Sequence, residues 1–478
     1  MEKITHVIDG HLVPSANGET FASIDPYGRA PWARVALGGD ADADAALAAA
    51  RRAFDDGPWP ELPQARRSTA LHRLADLLDA PADELARRDT RDAGKPYAAV
   101  AGYEIGAAAQ ELCDHADLVR LSAASTYPRD DGLHIYSRYP PAGVVVAVTP
   151  WNFPVPLAVS KIGPALAWGN TVVLKPAEQT PESATRIAEL ALTAGIPPGV
   201  LNVVHRYGPG GVGERLVGSP LADRVTFTGS SAAGAAVAAA AGTRLPPVQM
   251  ECGGEAANII FADADADLDR AAELSVRGAF GNSRQICVAA TRLYIQREVF
   301  DTVLTAVVAG ARELRLGDPM DPRTALGPLV SREQHERVLG CLETVAVDGG
   351  EIVTGGAGPD GWFVRPTVAV GLAPDARAHR EEIFGPVVVA APFDTEDEAV
   401  ALANDSVYGL SASLFTGDTG RAHRVAARLR AGIVWVNTFG VRDWRAPFGG
   451  YRRSGVGREG GEFSRAFLTE PTSVVMGG

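Results

Sequence analysis

Between residues 143 and 252 the chain alternates regularly between continuous apolar runs of strand length and runs with helical patterning. The strand-like runs are GVVVAVT (143–149), TVVLKP (171–176), VLNVVH (200–205), RVTFTG (224–229) and PVQMEC (247–252). Helical segments fall between them, near 155–168, 183–195, 212–218 and 232–242. A strand that is apolar at every position is buried on both faces, which requires helices on both sides of the sheet. The pattern therefore predicts a parallel, doubly wound α/β sheet, with ligands bound at the carboxyl ends of its strands.

The rest of the chain divides around this run. A helix-rich segment over 41–122 includes ARRSTALHRLADLLDA (65–80). The stretch 123–142 breaks that pattern, and its alternating LHIYSRY suggests an edge strand or hairpin. After 253 a second α/β series begins with ANIIFA and a helix near 266–282, then TRLYIQ and a helix near 298–312. It closes with VVVAAPF, SASLFT and AGIVWVN. The tail PTSVVMG (471–477) is a further short strand candidate. A length of 478 residues fits about three domain-sized units.

The net charge of −13 and the absence of a dense Lys/Arg block argue against a nucleic acid or an anionic membrane as partner. MEKITHVIDG has no basic region followed by an apolar run, so no secretory signal is expected. Cys113, Cys252, Cys287 and Cys341 form no CxxC pair and have no His cluster beside them. No metal site is expected, and a reducing cytoplasm is the expected compartment.

Several strand ends carry groups capable of chemistry. TPWNFP (149–154) ends the first strand, where the Asn152 amide is a potential oxyanion donor or an ordinary turn residue. Lys175 and Glu178 in VLKPAEQTP (173–181) stand where nucleotide sugar hydroxyls are held, or in a solvated loop. A carboxylate there suits a diol and repels a 2′-phosphate, which favours NAD over NADP. FTGSSAAG (227–234) turns a strand into a helix through Gly229 and Ser230, and free N–H groups at such a start suit a pyrophosphate. GPGGVG (208–213) fits G-x-G-x-x-G but lacks the downstream acid of the fingerprint, so it reads as a plain loop. Glu251 at the end of the last strand is a potential general base or a solvent-facing acid. Cys287 in GNSRQIC (281–287) is a potential nucleophile, although a lone cysteine is more often a core thiol.

Taken together, PWNFP, LKPAEQTP, FTGS, MECGG, the Cys287 segment, EEIFGPV (381–387) and PFGGYRRSGVGRE (447–459) resemble the NAD(P)-dependent aldehyde dehydrogenase superfamily, in its order and over nearly the whole chain. The resemblance implies Cys287 as nucleophile, Asn152 as oxyanion donor and Glu251 as the base that activates water for thioester hydrolysis. It implies NAD contacts from Thr149, Trp151, Lys175, Glu178, Phe227, Gly229, Ser230, Glu382 and Phe384. The fold it implies has a Rossmann-type cofactor domain (1–122 and 142–253) and an α/β catalytic domain (254–453). A small β arm and tail (123–141 and 454–478) would build a homodimer or homotetramer. NTFGVRDWRAPFGG (437–450) and GREGGEFSRAFLTEPTSV (457–474) resemble the dehydrogenases of hydroxymuconate and aminomuconate semialdehydes. That likeness implies a carboxylate-binding Arg442, with Trp444 and Phe153 lining the substrate side. Arg442 is equally suited to an interdomain ion pair.

The chain also departs from the pattern. A second carboxylate-binding arginine of that subgroup would fall near Ala107, where this chain has none, which argues against a muconate-type substrate. Arg284 stands where the family has Gly, and Glu255 where it has Lys, so these two are expected to form a compensating pair. Glu251 favours hydrolysis over a CoA-acylating reaction, in which that acid is typically missing. The altered neighbours of Cys287 leave open a non-catalytic binding relative.

Overall fold

The computed structural model describes residues 1–207 and 211–477, so the first three residues of the GPGGVG run lie outside the described residues. The α/β fold expected from the alternation is the fold observed, built on two large sheets. In the first, Val248–Cys252, Arg224–Gly229, Val144–Val148, Thr171–Lys175 and Leu201–Val203 run parallel in that order. Antiparallel additions close its two edges, Gly455–Val456 on one side and His6–Ile8 with His11–Val13 on the other. Val144, Val145 and Val146 have no exposed surface, which is why this strand is apolar at every position. Each such side chain contributes about 1.5–3 kcal/mol through burial.

The crossover helices are Pro154–Ala167, Glu182–Ala194, Val212–Gly218 and Ser231–Gly242. Glu182–Ala194 ends at Gly195 in the left-handed conformation, a standard helix stop. Ser231–Gly242 starts at Ser230, whose hydroxyl accepts from the Ala233 N–H at 3.2 Å. Gly234 in its first turn lies against the sheet, since a Cβ there would meet Cys252 Sγ at 2.6 Å. The helix-rich 41–122 segment forms Asp40–Asp55, Gln64–Asp79, Ala82–Ala93 and Ile105–Leu121. Asp40–Asp55 packs with Val144 and Val146 in one core cluster, and the other three helices pack with Val145 and Ala147 in another.

The second sheet is ordered Glu351–Ala357, Val364–Val370, Val387–Phe393, Ala290–Gln296, Ala256–Ile260, Ser411–Phe415 and Ile433–Val436, parallel except for its first pair. Gly253 and Gly254 link the two sheets between Cys252 and Ala256. A small antiparallel sheet joins Thr126–Tyr127, His134–Arg138 and Thr472–Met476. Gly455–Val456 extends the first sheet, and helix Gly461–Leu468 packs below it, with Leu468 in the cluster of Val145 and Ala147. The Phe467 carbonyl accepts from Arg224 Nε at 2.7 Å, which ties this helix to the sheet. Among the described residues no helix is long and apolar enough to cross a membrane.

Candidate active site

Strand register sets the site. Val148 pairs with Lys175 and with Phe227, Thr228 with Glu251, and Gly229 with Cys252. The carboxyl ends of four strands thus finish level, and the groups on them face one cavity of about 1000 Å³. The second α/β unit supplies the opposite wall through Cys287, Glu382 and Phe384. Cys287, Glu251 and Asn152 line this cavity, as do Thr149, Trp151, Lys175, Glu178, Phe227, Gly229 and Ser230. So do the residues expected on the substrate side, Phe153, Arg442 and Trp444.

Asn152 is buried, and its Nδ2 donates to the Gln285 carbonyl at 2.9 Å. Its own carbonyl accepts from Lys95 Nζ at 2.9 Å and from Asn282 Nδ2 at 3.2 Å. The donor amide is therefore anchored to the loop that carries the cysteine. Lys95 also pairs with buried Glu104 and lies 3.9 Å from the centre of the Phe153 ring. Cys287 is half-buried. Burial, followed by the charges of Glu382 and Glu251, pushes its thiol up to about 12, with Arg442 opposing. The thiol is protonated at neutral pH, so attack requires a base.

Glu251 is buried, and neither of its carboxyl oxygens has a hydrogen-bond partner. Burial and then the neighbouring Glu459 push it well above the usual carboxylate range, against Lys161, Arg442 and Arg458. A buried acid free of partners and held toward the neutral form suits proton transfer. Glu459 pairs with buried Lys161, and its second oxygen lies 3.3 Å from Arg442 Nη2. The Arg442 guanidinium sits between the rings of Trp444, at 3.7 Å, and Phe448, at 4.2 Å. Arg442 lines the cavity and is paired with Glu459.

The residues expected to hold a dinucleotide fit one. Lys175 and Glu178 lie 3.8 Å apart at the end of their strand, and burial lowers the lysine. Gly229 and Ser230 present the start of helix Ser231–Gly242 to the cavity. At the other end Trp151 and Phe384 meet edge to face at 5.3 Å. Glu382 accepts from the Gly254 N–H at 3.1 Å, and a Cβ at Gly253 would overlap its carboxylate. Burial and then Glu255 push Glu382 up to about 7, with Arg284 opposing.

Sequence reasoning missed Glu459 and Lys161, and also the cavity aromatics Trp435, Phe439 and Phe448. A lysine inside the otherwise apolar helix PVPLAVSKIGPALA was the available signal for Lys161. Arg284 and Glu255 form the buried ion pair expected of them, and neither lines the cavity.

A parallel sheet whose carboxyl edge opens on a dinucleotide-sized cavity, walled by a second α/β unit, is the architecture of a nicotinamide-dependent oxidoreductase. Comparison with known proteins supplies the family. Residues 12–474 match the model of the aldehyde dehydrogenase family. The chain is 43% identical to a 2-hydroxymuconic semialdehyde dehydrogenase of Pseudomonas sp. (strain CF600), over 100% of both chains. It is 38% identical to a 2-aminomuconic 6-semialdehyde dehydrogenase of a Pseudomonas species, over 100% of this chain and 98% of that one. The solved NAD+ complex of a Bacillus cereus aldehyde dehydrogenase superposes with a TM-score of 0.97 at 39% identity, covering 99% of this chain and 96% of that one. The chain belongs to the aldehyde dehydrogenase family. It is an oxidoreductase that acts on a small-molecule aldehyde with NAD.

Proposed function

We propose that this chain oxidises its aldehyde to a carboxylic acid through a thioester on Cys287, with Asn152 and Glu251 serving the two halves of the reaction. The observation that carries this reading is the convergence of the three side chains on one cavity at the sheet edge. Cys287 Sγ attacks the carbonyl carbon after its proton passes to a water molecule in the cavity. The developing oxyanion takes hydrogen bonds from the second N–H of Asn152 Nδ2 and from the Cys287 N–H. Bound NAD supplies the hydride acceptor. Lys175 and Glu178 would hold its adenosine ribose, Gly229 and Ser230 its pyrophosphate, and Glu382 and Phe384 its nicotinamide end. Collapse of the thiohemiacetal leaves a thioester on Cys287. Glu251 takes a proton from water, which attacks that thioester and frees the acid. A partnerless carboxyl in the cavity supports water rather than CoA as acceptor.

Arg442 faces the far end of the substrate and accepts a carboxylate there, which makes a carboxylate-bearing semialdehyde the substrate class, with Trp444 and Phe153 beside it. The three-stranded sheet of 126–138 and 472–476 has open edges that fit assembly of like subunits into a homodimer or homotetramer. The four free cysteines fit a reducing cytoplasm. The test is an NADH-formation screen over aliphatic, aromatic and carboxylate-bearing aldehydes. Cys287→Ala is expected to abolish turnover, and Arg442→Ala to impair acidic aldehydes selectively. Full NADH production by Cys287→Ala refutes the thioester route, and a uniform loss across the panel with Arg442→Ala refutes the carboxylate contact.

A further inference from the structure

The loop before Cys287 is strained in an unusual way. Asn282, Ser283 and Arg284 are consecutive non-glycine residues with φ of 51°, 51° and 59°. Side-chain-bearing residues avoid this region, and it persists only where the surroundings hold it. Asn282 Nδ2 donates to the Asn152 and Gln285 carbonyls, each at 3.2 Å, and Ser283 Oγ donates to the Gly327 carbonyl at 2.8 Å. Arg284 is held by Glu255 alone. Both side chains are 1% exposed, and Arg284 Nε and Nη1 have no other partner.

Glu255 has all its bonds made. One oxygen accepts from the Ile383 N–H at 2.8 Å, and the other from Arg284 and Thr291 Oγ1. Ile383 lies between Glu382 and Phe384, the residues at the nicotinamide end of the cavity. One residue before Glu255, Gly254 donates to Glu382, and a Cβ on Gly254 would meet the Cys287 carbonyl at 2.9 Å. The carboxylate therefore ties together three segments: the turn after Glu251, the loop before Cys287, and 382–384. The Arg284 charge also opposes the upward shift of Glu382.

We infer that the buried Arg284–Glu255 pair is a positioning device that holds the Cys287 loop and the Glu382–Phe384 segment in register across the reacting centre. The inference rests on the roles proposed above for Cys287 and Glu382. Arg284 and Glu255 touch neither substrate nor cofactor. A buried charge that loses its partner reorganises its surroundings. Here those surroundings are the nucleophile loop on one side and the nicotinamide-ribose acid on the other.

The test uses the full chain with Arg284→Met, Glu255→Gln and the double variant, each measured in three ways. NAD affinity is read by calorimetry, Cys287 accessibility by its rate of alkylation with iodoacetamide, and turnover by the separate effects on kcat and on KM for NAD. Arg284→Met is expected to raise both Kd and KM for NAD about tenfold and to change the alkylation rate at least about threefold. The double variant is expected to recover part of both losses, because no charge is then left unpaired. Arg284→Lys, which keeps the cation, is expected to retain more of each than Arg284→Met. Values within about twofold of the native protein in affinity and alkylation for both single variants overturn the inference, whatever happens to Tm. If Arg284→Met does not fold, Arg284→Lys and Glu255→Gln decide by the same criterion. If the native protein binds no NAD, the functional reading fails instead, and the alkylation rates alone decide the role of the pair.

Discussion

Truncating Asn152 to alanine separates the catalytic from the structural use of one side chain. The amide Nδ2 makes a single bond, to the Gln285 carbonyl at 2.9 Å. That carbonyl keeps a second donor, Asn282 Nδ2 at 3.2 Å, so the truncation does not orphan it. The contacts of Lys95 and Asn282 with residue 152 go to its backbone carbonyl and survive. The stability cost is therefore one hydrogen bond, about 1 kcal/mol. The catalytic cost is larger, because a preorganised donor to an oxyanion contributes about 3 kcal/mol. At about 1.4 kcal/mol per decade, kcat should fall on the order of 100-fold. Stopped-flow detection of NADH should show the loss in the first turnover, since the oxyanion forms before the thioester does. Calorimetric melting should find Tm nearly unchanged. A variant with kcat within about threefold of native refutes the oxyanion role, and so does a loss of rate matched by a large fall in Tm.

Three further outcomes follow from the charges around the site. Glu251→Gln should release NADH in a single burst and then turn over on the order of 100-fold more slowly, because Glu251 is the base for thioester hydrolysis whereas the Cys287 proton leaves to water; steady-state and burst amplitudes measure both. The Cys287 thiol, held up to about 12 by burial and by Glu382 and Glu251, should be alkylated about tenfold faster for each unit rise in pH through the neutral range; a plateau at neutral pH would contradict it. Lys161→Met removes the closer cationic partner of Glu459, leaving Arg442 at 3.3 Å, and should cost less stability in denaturant melts than the roughly 3–5 kcal/mol of a fully broken buried pair. With the lysine gone, Glu251 rises further, so its ionised form appears only at higher pH and the acid limb of the kcat profile moves upward; a profile that stays in place would show the two acids to be uncoupled.

The first sheet was legible because its strands are buried on both faces, which writes them into the chain as unbroken Val-rich runs. The N-terminal strands Glu2–Ile4, His6–Ile8 and His11–Val13 are three residues each, too short to show a period of two. The sequence of helix Gly461–Leu468 does not itself reveal what the helix packs on. Its place is set by Arg224 and by the pairing of Gly455–Val456, contacts more than 200 residues apart in the chain. The same limit applied to the site. Single residues at strand ends were visible, but Glu459, which governs both Glu251 and Arg442, reaches them only through the tertiary fold.

Charge balance at that end of the cavity shapes what the site accepts. Arg442 already has Glu459 at 3.3 Å and the Trp444 and Phe448 rings at 3.7 and 4.2 Å, and buried Glu111 also feels its charge. Glu459 does not depend on Arg442, however, because Lys161 is its closer partner in the buried pair. Arg442 can therefore turn a donor toward a substrate carboxylate without stranding Glu459. Stacking between Trp444 and Phe448 keeps the guanidinium plane fixed while it does so. Ala107 lies about one turn before Glu111 on the same helix, so position 107 offers no second cation. One arginine fixes one carboxylate but not a second anchor point. We therefore propose an acidic aldehyde held by one guanidinium contact, in a cavity that Phe153, Trp435 and Phe439 also line.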